Sequence, residues 1–258
     1  MRSTQTANPP VGTLIRRWRE HRRLTQLELS LQARVSVRHV SFVETGRSRP
    51  TSAMILRLAE QLDVPLRERN TLLLAGGYAP ACPQHSLTAP PMSIISAVLA
   101  AHQSMPAIVV DRHWELIAAN DATDLLAAGA AVHLLEPPVS VLRLSLHPDG
   151  MAARIANLGQ WRAHLLARLR RQIASTEDDQ LSQLHEELSG YPGGDAIAEH
   201  GTDVIIVPLR YHRPHGELSL FSTTTVFGTP LDVTVAELAI ESFYPADDIT
   251  AAALQRYI

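Results

Sequence analysis

The sequence predicts an all-α domain of five helices followed by a larger α+β domain with an antiparallel sheet. Apolar residues recur with helical spacing before a proline-rich segment, and with mixed helical and alternating spacing after it. The charge divides at the same place. Residues 1–80 carry 13 arginines and 6 acidic residues, whereas residues 81–258 carry 10 arginines and 20 acidic residues. This asymmetry is expected when only one domain meets a polyanion.

Four segments follow from these patterns. Residues 1–10 form a polar arm, residues 11–77 the helical domain, residues 78–91 a proline-rich linker and residues 92–258 the α+β domain. A chain of 258 residues, 45% of them hydrophobic, can bury two cores. The single cysteine, Cys82, cannot form an internal disulfide. Because no apolar run reaches the ~20 residues of a membrane span, we expect a cytoplasmic protein without membrane contact.

Five helices account for residues 11–75. Thr25 and Glu28 have the spacing of a capping box at the start of the second helix. Ser36 can cap a short third helix, and Gly46 suits the left-handed position after it. The expected helices are Val11–Arg23, a second after Thr25, a third after Ser36, a fourth from Thr51 or Ser52 to Leu62, and Pro65–Ala75.

The second domain mixes helices and strands. Arg112 and His113 separate two short apolar runs, which predicts a hairpin. The expected helices are Met92–His102, Asp121–Gly129, Met151–Ala174 and Gln180–Ser189. The expected strands are Ala107–Asp111, Trp114–Ala118, Val204–Tyr211, Gly216–Thr225 and Leu231–Glu241. A sheet with helices on one side can enclose an apolar pocket.

The short third helix is suited to the major groove of DNA. Val37, Val40 and Val43 recur every third residue and predict a core face, which leaves the mixed outer face free for base edges. Arg38 can donate two hydrogen bonds to a guanine. Val37 and Phe42 suit either a thymine methyl or the core. The candidate base-reading residues are Ser36, Val37, Arg38, His39 and Phe42.

Other polar residues suit the phosphate backbone. Gln26 begins the second helix, where backbone N–H groups also favour a phosphate. Glu44 is repelled by phosphates, so we expect it to hold the turn by pairing with an arginine. The candidate backbone contacts are Thr25, Gln26, Ser41, Arg47 and Arg49.

The run Leu24–Pro65 resembles the phage-repressor, Cro or XRE type of helix-turn-helix. The matching motifs are Thr25-Gln26, the turn Ala33-x-Val35-Ser36, and the run E-T-G-R-x-R-P that begins at Glu44. The resemblance implies a five-helix domain whose third helix reads the major groove. By this resemblance, the base-reading positions are occupied by Ser36, Val37, Arg38 and Phe42. The backbone-contact positions are occupied by Gln26 and Arg47.

Four later segments resemble the MmyB-like transcription-regulator ligand-binding domain: Leu72–Pro80, Ala107–Asn120, Pro137–Gln172 and Gly216–Asp247. This resemblance implies a PAS-like fold after an XRE helix-turn-helix, as in bacterial regulators. One member of the family is associated with a fatty acid, which implies an acyl chain as a possible ligand. The chain departs from the family at Met105, where an aromatic residue is frequent, and at Ser140, where asparagine is frequent.

Apolar residues of the second domain are candidates for a ligand pocket, with ordinary core as the alternative for each. They are Ile108, Val110, Trp114, Leu116, Leu142, Leu146, Trp161, Leu165, Leu220 and Phe227. Arg143 or Arg154 can pair with the carboxylate of an anionic acyl ligand. Helix Ala152–Ile173 also carries an arginine-rich face, formed by Arg162, Arg168, Arg170 and Arg171, for which we expect solvent exposure.

Metal and enzyme chemistry have weaker support. His212 and His215 flank a proline turn without a cysteine pair, so we expect no metal site. No nucleophile-elbow motif occurs, and the pairs Asp111–His113 and His147–Asp149 are only neighbours in sequence. We therefore expect no enzyme activity, and no cofactor apart from a bound fatty acid or other apolar ligand.

Together these features predict a sequence-specific transcription regulator whose second domain senses a small apolar ligand. One short reading helix covers few bases, so we expect a homodimer on an inverted-repeat operator. The alternative is a DNA-tethered module whose second domain binds another protein or dimerises and holds no small molecule.

Overall fold

The computed structural model describes residues 9–86, 91–102, 104–176, 178–193, 206–214, 216–228 and 230–256. The chain divides into two compact units. Unit 1 comprises Met1–Ser86 and Thr229–Ala236, and unit 2 comprises Leu87–Gly228 and Glu237–Ile258. The segment Thr229–Ala236, which we call the returning segment, was expected in the second domain and instead joins unit 1. No helix of the described residues is long and apolar enough to cross a bilayer.

Unit 1 contains the five expected helices, each ending within about two residues of its predicted bounds. They are α1 Val11–His21, α2 Gln26–Gln32, α3 Val37–Glu44, α4 Ser52–Gln61 and α5 Leu66–Ala75. The capping box is confirmed, since Thr25 Oγ1 accepts from Glu28 N at 3.1 Å and Thr25 N donates to Glu28 Oε2 at 2.7 Å. Ser36 Oγ accepts from His39 N at 3.1 Å. Gly46 has a φ of +71°, as its place after α3 predicted.

The core of unit 1 is continuous and apolar. Fully buried residues from all five helices meet there, among them Ile15, Leu29, Val40, Ile55 and Leu72. Helix α1 lies unusually close to α3, because a Cβ at Gly12 would be 2.1 Å from the carbonyl oxygen of Val43. Packing against α1 and α2 therefore fixes the inner face of α3.

The proline-rich residues after α5 are held against that helix. Asn70 donates to Cys82 O at 2.8 Å and accepts from Cys82 N at 3.0 Å. The returning segment adds a short helix, α11 Val233–Ala236, where a strand was expected. Asp232 Oδ2 accepts from His85 N at 3.0 Å and lies 2.7 Å from His85 Nδ1. The predicted strand Leu231–Glu241 is thus wrong over its first part.

Unit 2 is built on a five-stranded sheet with the order β2-β1-β5-β4-β3, in which all neighbours are antiparallel. The antiparallel sheet was predicted. Its strands are β1 Ala107–Val110, β2 Leu116–Ala119, β3 Leu209–Arg213, β4 Gly216–Val226 and β5 Ala239–Pro245. The third strand was expected from Val204, but residues 204 and 205 lie outside the described residues.

The helices of unit 2 are α6 Pro91–Ala101, α7 Asp124–Ala127, α8 Val141–Leu146, α9 Leu158–Thr176, α10 Asp179–Ser189 and α12 Asp248–Gln255. The long helix expected from Met151 begins only at Leu158. Before it, Ile155 forms an isolated bridge with Tyr211, and Asn157 donates to Pro208 O at 2.8 Å. These contacts hold residues 155–157 beside β3, so the chain cannot start the helix there.

Strand β1 is buried on both faces. Ile108 and Val110 belong to a core shared with α8, α9 and α10, whereas Ala107 and Val109 belong to a second core with α6. Helices therefore cover both faces of the sheet at β1.

Candidate DNA-binding and ligand-binding sites

The inner and outer faces of α3 are separated by burial. Val40 and Val43 are 0% and 1% exposed, whereas Val37 is 38% exposed. Val37 therefore belongs to the outer face and is no core residue. Ser36 and Arg38 are exposed beside it, and His39, Ser41 and Phe42 are half-buried.

Two arginines contact the ring of Phe42 on this outer face. The guanidinium carbon of Arg38 lies 5.0 Å from the ring centroid of Phe42, and that of Arg47 lies 5.9 Å from it. Arg38 belongs to α3, while Arg47 follows the turn at Gly46. Each such contact stabilises an exposed pair by about 0.5–1 kcal/mol, which narrows the positions of both cations. The sequence signal for this arrangement is the spacing of four residues between Arg38 and Phe42.

Glu44 ties three helices together behind that face. It accepts from Arg19 twice, Nε to Oε1 at 2.6 Å and Nη2 to Oε2 at 2.9 Å, and from Gln26 Nε2 at 2.8 Å. The expected structural pairing of Glu44 with an arginine is confirmed. The bond also orients Gln26 at the start of α2, where it was predicted to contact a phosphate.

Two other predicted backbone contacts already have partners inside unit 1. Besides its capping bond, the Thr25 hydroxyl donates to Glu28 Oε2 at 2.8 Å. Arg49 donates from Nη2 to Gly76 O at 3.0 Å and lies 5.8 Å from the ring centroid of Tyr78. Phosphate contacts by Thr25 and Arg49 stay predictions, and both would compete with these bonds.

The structure brings most of the predicted pocket residues together. Nine of them belong to or pack against the larger core of unit 2: Ile108, Val110, Trp114, Leu116, Leu142, Leu146, Trp161, Leu165 and Leu220. Phe227 packs against the smaller core on the other face. These side chains are in contact with one another, so an apolar ligand among them would have to separate them.

Polar contacts position α9 against α8 and against the sheet side of unit 2. Trp114 Nε1 donates to Gln172 Oε1 at 2.8 Å, and Trp161 Nε1 donates to Ser145 Oγ at 3.0 Å. Arg168 pairs with Glu241, donating from Nη1 to Oε2 at 2.9 Å, and lies 4.5 Å from the ring centroid of Trp114. The expected solvation of the arginine-rich face is therefore wrong for Arg168.

An open cleft of about 610 Å³ lies beside α6 and α12. Its apolar lining joins the two cores, because Leu99 belongs to the smaller one and Leu125 and Leu254 belong to the larger one. Asp121 and Asp124 add negative charge to the lining. None of the ten predicted pocket residues lines this cleft. Its complete lining is Ser96, Leu99, Ala100, Ser104, Ala119, Asn120, Asp121, Ala122, Asp124, Leu125 and Leu254.

Both arginines proposed for a ligand carboxylate have partners in the protein. Arg143 donates from Nε and Nη2 to the two carboxylate oxygens of Glu187, each at 2.8 Å. Arg154 donates to the carbonyl oxygen of Ala128. Their role towards a ligand stays a prediction, because each would exchange an existing bond for a new one.

Comparison with known families tests the two resemblances predicted from the sequence. Residues 15–69 match the helix-turn-helix family, and residues 93–256 match the MmyB-like transcription regulator ligand binding domain. The second match covers more than half of the chain. The chain belongs to the MmyB-like family. A helix-turn-helix followed by an MmyB-like domain is the combination of a DNA-binding transcription regulator with a ligand-binding domain, and both predicted resemblances are confirmed.

No curated protein gives a significant match to this MmyB-like chain. Among solved structures, it is similar to the one titled "Structure of an RNA-binding Light-Oxygen-Voltage Receptor", with 14% identity and a TM-score of 0.29. That similarity covers 94% of this chain and 61% of the other chain, so this chain spans less than two thirds of that protein's length.

Proposed function

We propose that this MmyB-like regulator reads a DNA operator with α3 and changes its operator affinity when an apolar molecule occupies unit 2. The observation that carries the first half is the contact of both Arg38 and Arg47 with the ring of Phe42, on the outer face of α3 in a matched helix-turn-helix. Two cations held on one exposed surface suit a groove lined by phosphates.

The two arginines have different roles in this proposal. Arg38 lies in the first turn of α3, where a recognition helix meets base edges, and it donates to a guanine. Arg47 lies beyond the end of α3 and contacts a phosphate. Ser36, Val37 and His39 complete the base-reading surface, and Gln26 with Ser41 completes the backbone contacts.

A single α3 covers only a few base pairs. We therefore propose that two copies of the chain bind the two halves of an inverted repeat, because a two-fold symmetric protein pair matches a symmetric site. Each half-site would be read by one α3.

Selection of duplex DNA from a random library by the purified protein tests whether the protein recognises a specific sequence. An enriched inverted repeat is the expected result. Arg38→Ala should then weaken operator binding by about 1–3 kcal/mol and relax the preference at one base pair of each half-site. Arg16→Ala is the matched control, since it removes one exposed arginine from α1. If Arg38→Ala lowered the affinity for operator and for random DNA by the same factor, Arg38 would contact only phosphates.

For unit 2 we propose an apolar ligand in the cleft beside α6 and α12. Its volume of about 610 Å³ lies in the range of small-molecule sites, roughly 300–1,000 Å³. The carboxylates of Asp121 and Asp124 oppose an anionic head-group there, so a neutral or cationic amphiphile fits the cleft better than the implied fatty acid.

Denaturing extraction of freshly purified protein, followed by mass spectrometry, tests this second half. A stoichiometric apolar compound is the expected result, and its head-group identifies the ligand class. Ala119→Phe, which places a ring in the cleft, should reduce the recovered amount. Ala174→Phe on the exposed part of α9 is the control. An undiminished yield from Ala119→Phe would move the ligand to the core around Trp161.

A second function has one observation in its favour. The predicted pocket residues fill the larger core of unit 2 by contact with one another, which suits a domain that binds another protein. A blank extraction, repeated after incubation with neutral lipids and fatty acids, would favour this DNA-tethered interaction module.

A further inference from the structure

We propose that His133, His147 and Asp149 bind a divalent transition-metal ion, for which Zn²⁺ is the first candidate. One ligand atom from each residue lies within 4.8 Å of the others. The three residues belong to unit 2, and none of them lines the cleft or belongs to α3. Its existence does not depend on the ligand proposed above.

The turn that carries two of the three ligands is fixed by backbone contacts. His147 N donates to Arg143 O at 2.8 Å, and Gly150 N donates to His147 O at 2.9 Å. A Cβ at Gly150 would lie 2.3 Å from the carbonyl oxygen of Leu144, so the turn packs directly on α8. His147 and Asp149 are therefore presented from a rigid turn.

The third ligand comes from a separate part of the chain. Ala131 N donates to Asp149 O at 2.8 Å, and the short 3₁₀ helix Val132–Leu134 follows at once. His133 thereby comes to lie beside His147, with 5.7 Å between ring centroids and 81° between ring planes. A backbone bond thus couples the positions of the three ligands.

The ring of His147 is oriented by its neighbours. Tyr191 packs edge-on against it at 5.1 Å between centroids, and Asp149 N donates to His147 Nδ1 at 3.0 Å. Nδ1 is thus the unprotonated nitrogen, and it lies 3.8 Å from Asp149 Oδ2. An ion at Nδ1 would replace this one exposed hydrogen bond from the backbone.

Two imidazole nitrogens and one carboxylate oxygen form a donor set for Zn²⁺ or a neighbouring transition metal, whereas Mg²⁺ and Ca²⁺ prefer oxygen alone. Ligand atoms on one tetrahedral Zn²⁺ lie roughly 3.4 Å apart. The present separation of up to 4.8 Å closes by rotation of the His133 and Asp149 side chains, which are both exposed. Three protein ligands leave the fourth position to water or to a further molecule.

Isothermal titration calorimetry, with Zn²⁺ added to the whole chain after treatment with a chelator, tests the site. We expect one site per chain, and Co²⁺ in its place should give the visible absorption of a tetrahedral ion. His133→Ala should weaken Zn²⁺ binding by more than about tenfold, since loss of a supporting residue alone costs 10–100-fold. Asp149→Asn should weaken it as well.

The control is His212→Ala, which removes another exposed histidine of unit 2, one that pairs with Glu217 at 3.5 Å. This variant should keep the wild-type affinity. His133 is exposed, so circular dichroism should show that His133→Ala folds normally. Equal Zn²⁺ affinity of wild type and His133→Ala, or an equal loss in His212→Ala, would overturn the proposal.

Discussion

Arg19 of α1 and Glu44 of α3 form a buried ion pair with two hydrogen bonds, at 2.6 and 2.9 Å. Their side chains are 10% and 1% exposed. The pKa of Arg19 is raised, chiefly by this hydrogen bonding to Glu44. Because Gln26 of α2 shares the same carboxylate, the pair sets the arrangement of the helices that present α3.

Glu44→Ala should lower the free energy of unfolding by about 3–5 kcal/mol, because the buried Arg19 guanidinium loses both hydrogen bonds to its carboxylate partner. The carboxylate of Glu20, 3.6 Å from Arg19 and half-exposed, is a weaker counter-charge. Denaturant unfolding followed by circular dichroism measures the change. Arg16→Ala is the control, since its pair with Glu20 is exposed and should contribute little to stability. Equal effects of the two substitutions would contradict the structural role of Glu44.

Arg47→Ala should weaken binding to operator and to random DNA alike. Loss of one phosphate contact should reduce the slope of log affinity against log salt by about 1. Fluorescence anisotropy at four salt concentrations gives that slope, with Arg16→Ala as the charge-matched control. An unchanged slope would remove Arg47 from the phosphate contacts.

Phe42→Leu should reduce operator affinity while the domain stays folded. The substitution keeps an apolar side chain but removes the ring that both Arg38 and Arg47 contact. The two contacts, of about 0.5–1 kcal/mol each, exist already in the free protein, so they set an upper limit of roughly 1–2 kcal/mol on the binding free energy lost when the arginines are no longer held in place. Binding equal to wild type, with an unchanged unfolding curve, would show that the arginines do not need the ring.

The capping box predicts an acid dependence of unit 1. Hydrogen bonds from the backbone N–H and then the hydroxyl of Thr25 lower the pKa of Glu28 from its ordinary value of 4.5. A depressed carboxyl pKa stabilises the fold above the unfolded-state pKa, and this stabilisation is lost as the pH falls through the folded-state pKa. Glu28→Ala should therefore destabilise the protein at pH 7 but much less at pH 3, as measured by urea unfolding. A difference that does not shrink in acid would show that Glu28 acts through helix propensity alone.

Local signals explain what the sequence predicted well. Thr25 and Ser36 cap helices by bonding to residues three positions later, and Gly46 makes the turn directly after α3. Because these interactions are local in sequence, they could be predicted from residue spacing. The place of the returning segment in unit 1 could not be predicted, because its contact between Asp232 and His85 joins residues 147 positions apart in the sequence. The pairing of Arg168 with Glu241 escaped prediction for the same reason, as its partners are 73 positions apart.

The ligand-binding residues show the same limit. Trp161 and Leu165 were recognised as apolar, but helical spacing alone does not tell whether such residues fill a core or line a cavity. The cleft instead combines α6 with residues around Asn120 and with Leu254, which are brought together only by tertiary packing. His133 joins His147 and Asp149 in the same way, which is why motif spacing predicted no metal site.

The affinity of the stripped protein for its selected operator, measured with and without the extracted apolar compound, tests the central claim most directly. The account predicts that the compound changes the dissociation constant by at least about fivefold, the lower range of allosteric coupling. An identical dissociation constant, with the compound shown to be bound, would contradict a ligand-responsive regulator.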